Sequence, residues 1–233
     1  MKHASIIFLM IGTMQESSLH ASLKRWYSKP GDRIESRVEG FYVDLVRGPL
    51  LIEIQTGSFS ALRKKLDRLL NEHPIRIVYP IPYEKWIVRV KFPSEQVIST
   101  RKSPKKGSVY SAFSELVRIA SYLSHPNISF EVLLTREEEV WLDDGAGSWR
   151  RKGWSKSDRR LINIISGYNF ASPEDYRSLL PVRLPELFTV HELAEGLKIP
   201  RYLAGKMVYC LKLIGIIMLD PKKRGRAYQY RLS

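Results

Sequence analysis

Residues 41–59 constrain this chain more than any other stretch. Two β-rich runs, residues 41–46 and 50–55, flank Arg47-Gly48-Pro49, and Thr56-Gly57-Ser58 then breaks the second run. Apolar runs on either side of a turn signal predict a β-hairpin. On the first run Phe41, Val43 and Leu45 share one face, and Tyr42, Asp44 and Val46 the other. On the second, Leu50, Ile52 and Ile54 share a face, and Leu51, Glu53 and Gln55 the other. Burying both aliphatic sets on one side of the sheet puts Asp44 on the same face as Glu53 and Gln55. If Asp44 lies directly opposite Glu53, their Cβ atoms are roughly 4.5–5.5 Å apart. Two carboxylates that close repel and need a cation or a shared proton. A hard divalent cation is the natural candidate, since Mg²⁺ is held by one or two carboxylates beside substrate phosphates. The alternative is a solvated face on which each acid pairs with surface Lys or Arg.

Downstream, Ser58 is placed to cap a helix over residues 59–71 that buries Phe59, Leu62, Leu66, Leu69 and Leu70 and turns Arg63, Lys64, Lys65 and Arg68 outward. Residues 75–81 form an apolar strand run. Strand, helix, strand implies a parallel crossover. Upstream, residues 15–27 carry Glu16, Leu19, His20, Leu23 and Trp26 at helical spacing, with Lys24 and Arg25 outside, and residues 33–38 read as a strand. His20, one turn after Glu16, is either a supporting partner of the acids or a partly buried histidine satisfied by backbone, the reading preferred here. Residues 85–90 and 129–135 read as strands, 110–123 as a helix and 92–107 as an exposed basic loop. Glu137 to Glu139 read as a solvated acidic patch, and 158–170 as a short helix and its exit.

The chain has 233 residues, a net charge of +14 from 38 Lys+Arg against 24 Asp+Glu, 44% hydrophobic residues and one Cys. Such a balance suits a soluble protein with a real core and favours a polyanionic partner, nucleic acid first. A lone Cys210 excludes an intramolecular disulfide and any multi-Cys metal site, and a reducing cytoplasm is the default compartment. The apolar run at 6–11 is too short to span a bilayer; it reads as an overextended start with Met14 the true initiator, or else as an extra strand. No membrane partner is expected, and a homodimer is admitted.

Trp149, Arg150, Arg151, Lys152 and Trp154 interleave indoles with cations, a pattern that suits nucleic acid and equally suits a linker anchored to the core. From Thr189 a capping box with Glu192 opens a helix, a turn follows at residues 196–200, and a second helix runs over 201–214. Residues 216–231 form a hairpin with a basic tip. This order resembles a winged helix-turn-helix domain, in which the second helix enters the major groove and the wing meets the backbone; such modules also dock proteins. The resemblance implies DNA contacts from Arg201, Lys206, Lys222, Lys223, Arg224 and Arg226.

The first part, helix with Glu16, strand, strand with Asp44, strand with Glu53 and Gln55, then crossover helix, resembles the PD-(D/E)XK restriction-endonuclease-like nucleases. That resemblance implies an α/β fold with a central mixed sheet flanked by helices, followed by the mainly helical C-terminal domain. It divides the chain into a nuclease-like domain (14–145), a basic aromatic linker and helix (146–185) and a winged-helix domain (186–233). It makes Asp44, Glu53 and the Ile54 carbonyl ligands of Mg²⁺ or Mn²⁺, with Glu16 supporting. Val43 stands where the family has Pro, and Gln55 where it has Lys. Gln hydrogen-bonds a water but carries no charge to stabilise hydroxide. Lys64 or Lys65 on the next helix supplies such a charge, and Lys65 also reaches nucleic acid. The function implied is metal-assisted hydrolysis of DNA phosphodiesters, delivered to double-stranded DNA by the winged helix. The alternatives are a catalytically inactive DNA-binding regulator on a decayed nuclease fold, and a protein-interaction scaffold.

Overall fold

The computed structural model describes residues 17–94 and 96–233; the expectations for residues 6–11, Met14 and Glu16 lie outside them. In order, the elements are α1 (Ser18–Tyr27), β1 (Arg33–Val38), β2 (Phe41–Arg47), β3 (Leu50–Ile54), a 3-10 turn into α2 (Arg63–Leu69), β4 (Ile75–Lys91), β5 (Val97–Lys102), α3 (Phe113–Leu116), β6 (Ile128–Asp143), β7 (Ser155–Phe170), α4 (Pro173–Arg177), α5 (Val190–Leu197), α6 (Arg201–Ile214), β8 (Ile217–Arg224) and β9 (Ala227–Leu232). The fold is α/β. A mixed seven-stranded sheet runs β1-β2-β3-β4-β6-β7, with β5 paired to the far part of β4. The expected hairpin is β2–β3, and β3, α2 and β4 form the expected parallel crossover.

Alternation along the strands sends side chains to two apolar layers. Leu45, Ile52, Ile54, Val78 and Leu133 pack on Leu19, Leu23 and Tyr27 of α1. Leu51, Ile75, Ile77, Phe130 and Val132 pack on Phe59, Leu62 and Leu66 from the other side. Helices therefore flank both faces. Phe41 and Val43 join the α2 side, although Leu45 on the same strand faces α1. The regular alternation expected for β2 slips at Asp44, where β2–β3 pairing has already stopped at Leu45–Ile52. Across β1 the residue facing Asp44 is Glu35, with φ +48°. Lys24, expected outside, is buried and paired with Glu35, while Trp26 is exposed.

Three expectations are corrected. Residues 75–91 are one continuous strand, which passes Pro80 and Pro82 by a register shift between Pro82 and Glu84. The span 110–123 is α3 between two 3-10 turns, because the backbone leaves helical values at Ile119 (φ −123°). Residues 155–170 are a strand, not a helix and its exit, and they pair with β6. Part of the expected linker thus lies inside the sheet, and part of the expected basic loop is β5.

The acidic run is also not solvated. Glu137 is fully buried and Glu139 is 4% exposed. Arg159 grips Glu137 Oε2 with Nε and Nη2 (3.0 and 2.8 Å), and Thr135 donates to Oε1. Lys85, Lys156 and the Trp141 indole serve Glu139. Each carboxylate enters the interior already paired, the condition under which burial of charge is tolerated.

At the C-terminal end the Thr189–Glu192 capping box opens α5 as expected, and α6 ends at Gly215 with φ +87°. Phe188 and Tyr230 exchange two backbone hydrogen bonds, so the segment before α5 joins the β8–β9 hairpin. Leu193, Leu203, Met207, Cys210 and Leu211 belong to the same apolar core as α2 and α3. No helix among the described residues is long and apolar enough to cross a membrane.

Arg159→Met leaves Glu137 charged and unpaired in the interior and is expected to lower unfolding free energy by about 3 kcal/mol in urea titrations. The double variant Glu137→Leu/Arg159→Met should lose clearly less. Equal losses would show that the pair is not what holds this layer.

Candidate functional site

β2 and β3 part beyond Leu45–Ile52, and the site lies where they part. The amides of Leu51, in β3, and Gln55, just past it, donate to the carbonyls of Pro74, just before β4, and Val78, in β4, so the Ile54 amide points the other way, toward β2. With the ladder ended, it meets a side chain instead: it donates to Asp44 Oδ2 at 2.7 Å. The Asp44 carboxylate thus replaces a strand carbonyl and leans along the sheet rather than onto the face with Glu53, a correction to the expected parity. His20 Nε2, from α1, lies 3.3 Å from the same oxygen. The histidine therefore supports the acids, the reading not preferred from sequence.

Glu53 is buried on the α2 side. Lys65 Nζ donates to Glu53 Oε1 and to the Tyr42 carbonyl, each at 2.6 Å. Lys65 therefore bridges the two strands that have separated. It is not outward, as expected from the helical wheel, whereas Lys64 is exposed. Between them, Lys65 is the lysine that reaches the acids. Gln55 turns away, its amide donating to the Ser58 carbonyl at 3.3 Å.

The two acids differ in their electrostatics. Burial works against charge on Asp44, but the His20 contact, the Ile54 amide and the Lys65 charge together hold its carboxyl below the usual range. For Glu53 burial dominates; Lys65 opposes it and the charge of Asp44 adds to it, and the result is pushed up to about 7. Two neighbouring carboxyls with pKa values driven apart are a recurring property of functional sites.

Among the described residues no three His, Cys, Asp or Glu side chains gather as a metal cage. The donor set is smaller: Asp44 Oδ1 and Glu53 Oε2, neither of which accepts a hydrogen bond within the described residues, and the Ile54 carbonyl. Carboxylate and carbonyl oxygens are the donors that hard divalent cations such as Mg²⁺ and Mn²⁺ take.

The expected nucleic-acid contacts divide into free and occupied. Trp149 is 82% exposed with Arg150 over its ring, Lys152 is exposed, and Arg151 donates to the Trp154 carbonyl. Trp154 lies under Arg89, a contact that sequence spacing does not signal. Arg201, Lys222 and Arg226 are exposed, and Lys223 lies over Tyr228. Lys206 instead donates to the Ser114 carbonyl, and Arg224 is tied to Glu192 and to the Leu187 carbonyl.

Glu53 keeps its proton in the folded protein at pH values where the unfolded chain has lost it. Folding then binds a proton between about pH 4.5 and 7, so this group lowers stability as pH rises through that window. Glu53→Gln removes the effect. The variant's stability relative to the parent should rise by a few kcal/mol between pH 5 and pH 8.5, read from denaturant midpoints. A difference independent of pH would contradict the raised Glu53.

Residues 17–171 match a family model described as a domain of unknown function (DUF8091). The match takes in every strand of the large sheet together with Asp44, Glu53 and Lys65. A protein of Treponema pallidum (strain Nichols), carrying the description "uncharacterized protein", is 30% identical over 229 residues, 96% of this chain and 88% of that protein. The similarity thus extends into the C-terminal helices and hairpin. No solved structure matches the chain. On the extent of the family match, the chain belongs to the DUF8091 domain family.

Proposed function

We propose that the chain is a metal-dependent nuclease of the PD-(D/E)XK type that hydrolyses DNA phosphodiester bonds. The observation that carries this reading is that, where β2 and β3 separate, Asp44 takes the Ile54 amide and Lys65 holds Glu53, near enough for Asp44 to feel the Lys65 charge and Glu53 the Asp44 charge. The order of helix, three antiparallel strands, crossover helix and parallel strand supports it, being the order the resemblance implies. The C-terminal helix pair and hairpin support a winged helix that docks on duplex DNA. There Arg201 and the hairpin cations are free to meet phosphates, while Lys206 and Arg224 serve the fold.

In this reading Asp44, Glu53 and the Ile54 carbonyl hold Mg²⁺ or Mn²⁺. When bound, the cation supplies Lewis-acid activation of water and neutralises charge at the phosphate. Lys65 supplies the positive charge that makes Glu53 tolerable beside Asp44. With Glu53 holding a cation, the Lys65 ammonium would be the group within reach to stabilise negative charge on the scissile phosphate. This takes the place of the motif lysine that Gln55 lacks. Gln55 remains able to orient a water by hydrogen bonding once its weak bond to Ser58 opens. His20 holds Asp44 ionised and oriented.

With plasmid and duplex oligonucleotides in Mg²⁺ or Mn²⁺, Asp44→Ala and Glu53→Ala should each lower cleavage at least about 100-fold. Lys65→Ala should lower it strongly, and Lys64→Ala should not. Cleavage indifferent to Asp44 and Glu53 would end the nuclease reading. Tight DNA binding without any cleavage would favour a regulator built on the same fold.

A further inference from the structure

We propose that the outer part of the large sheet, built from β5 and the far ends of β4, β6 and β7, is a second DNA-binding surface that tracks the phosphate backbone of a duplex. This inference rests on the reading of the chain as a DNA-acting protein and adds a site to it, apart from the acid pair and from the C-terminal hairpin.

The outer sheet contributes little to the core. Beyond Pro82 the place of β3 beside β4 is taken by β5, paired from Trp86–Lys102 to Val90–Val97. Of the apolar residues buried there, Val88, Val90 and Val140 form a small separate cluster, and Ile87 is buried outside it. All six residues of β5 are exposed. This layer is held by strand pairing and by the buried ion pairs of Glu137 and Glu139, and it displays cations. Among the described residues, no carboxylate lies within ion-pair distance of Arg89, Lys91, Arg101, Lys105, Lys106 or Arg150. Of the neighbouring acids, Glu139 is engaged by Lys85 and Lys156 and Glu84 by Lys102 and Arg136, whereas Glu138 and Asp143 on β6 form no ion pair among the described residues and leave the cations in excess.

Aromatic rings order three of these cations instead. Arg89 lies 5.0 Å from the Trp154 ring centroid, Lys106 5.5 Å from that of Tyr83, and Arg150 5.4 Å from that of Trp149. A ring steadies a cation without neutralising it, so the positive field is kept for a partner. The Arg89–Trp154 stack also joins two basic-aromatic segments about sixty residues apart into one surface. Arg89 and Lys91 on β4, Arg101 on β5, and Lys105, Lys106 and Arg150 in the adjoining loops spread un-neutralised charge over several segments, which suits a polyphosphate backbone better than a point ligand.

The test measures binding of the full chain to a 30-base-pair duplex by fluorescence anisotropy, over a range of salt and in chelator so that cleavage plays no part. Arg101→Glu/Lys105→Glu/Lys106→Glu should weaken binding at least tenfold and reduce the slope of log affinity against log salt by roughly three, one step per lost phosphate contact. Arg101→Gln/Lys105→Gln/Lys106→Gln should show the same direction and serves if the charge-reversed chain does not fold, as judged by its melting curve. An affinity and slope equal to the parent's in the folded variants would overturn the proposal. So would a parent chain that binds no duplex, or a parent whose duplex binding is unaffected while these substitutions abolish binding to phosphatidylserine vesicles. Loss of the nuclease reading would appear separately, as absence of Asp44-dependent cleavage in Mg²⁺ or Mn²⁺.

Discussion

The structure depends on how the gap between β2 and β3 is closed. Separating two strands orphans an amide and a carbonyl, and buried backbone groups without partners are costly. Here the Ile54 amide is satisfied by the Asp44 carboxylate, and the Tyr42 carbonyl by Lys65, which also neutralises Glu53. The side chains that close the sheet are the ones with chemistry to offer. That double duty explains why charged groups are brought into a largely apolar layer, and why α1 and α2, approaching from opposite faces, each send one basic residue to the same place.

The same economy shapes the rest of the large sheet. Its outer half would be unstable if Glu137 and Glu139 entered it alone; Arg159, Lys85 and Lys156 enter with them. Arg159 also donates to the Thr56 carbonyl, in the loop that links the Glu53 strand to the Lys65 helix. The paired acids of the outer sheet thus brace the turn on which the candidate site is built. On the α2 side, the C-terminal helices share one apolar core with the sheet, so the hairpin cations are carried on the body that holds the acids.

Much of this was legible in the residues. The Gly48-Pro49 break, the apolar runs around it, the Ser58 cap and the Thr189–Glu192 box all specify local structure by short-range chemistry; the hairpin and α5 formed where expected, while Ser58 caps a 3-10 turn and the helix expected over 59–71 is confined to Arg63–Leu69. What escaped was set by pairing between distant segments. Leu161 and Ile164 both pack toward α1, a spacing that suits a helix. They lie on one strand face because the β6–β7 register skips Ile162 between Arg136 and Glu137. Bulges of this kind put residues three apart on the same side of a strand and imitate helical periodicity. The acidic run looked solvated because its partners lie some twenty to fifty residues away in the chain. Lys65 looked outward because a helical wheel does not know that a strand has turned aside beneath it.

The proposed nuclease function requires that Asp44 and Glu53 accept a divalent cation in exchange for the Lys65 ammonium. Crystals soaked in Mn²⁺ and measured for anomalous scattering address it directly. The account predicts one strong peak within bonding distance of both Asp44 Oδ1 and Glu53 Oε2, with Lys65 moved off Glu53. A site without anomalous signal, Lys65 still bound to Glu53 and the metal found elsewhere or nowhere, would contradict it.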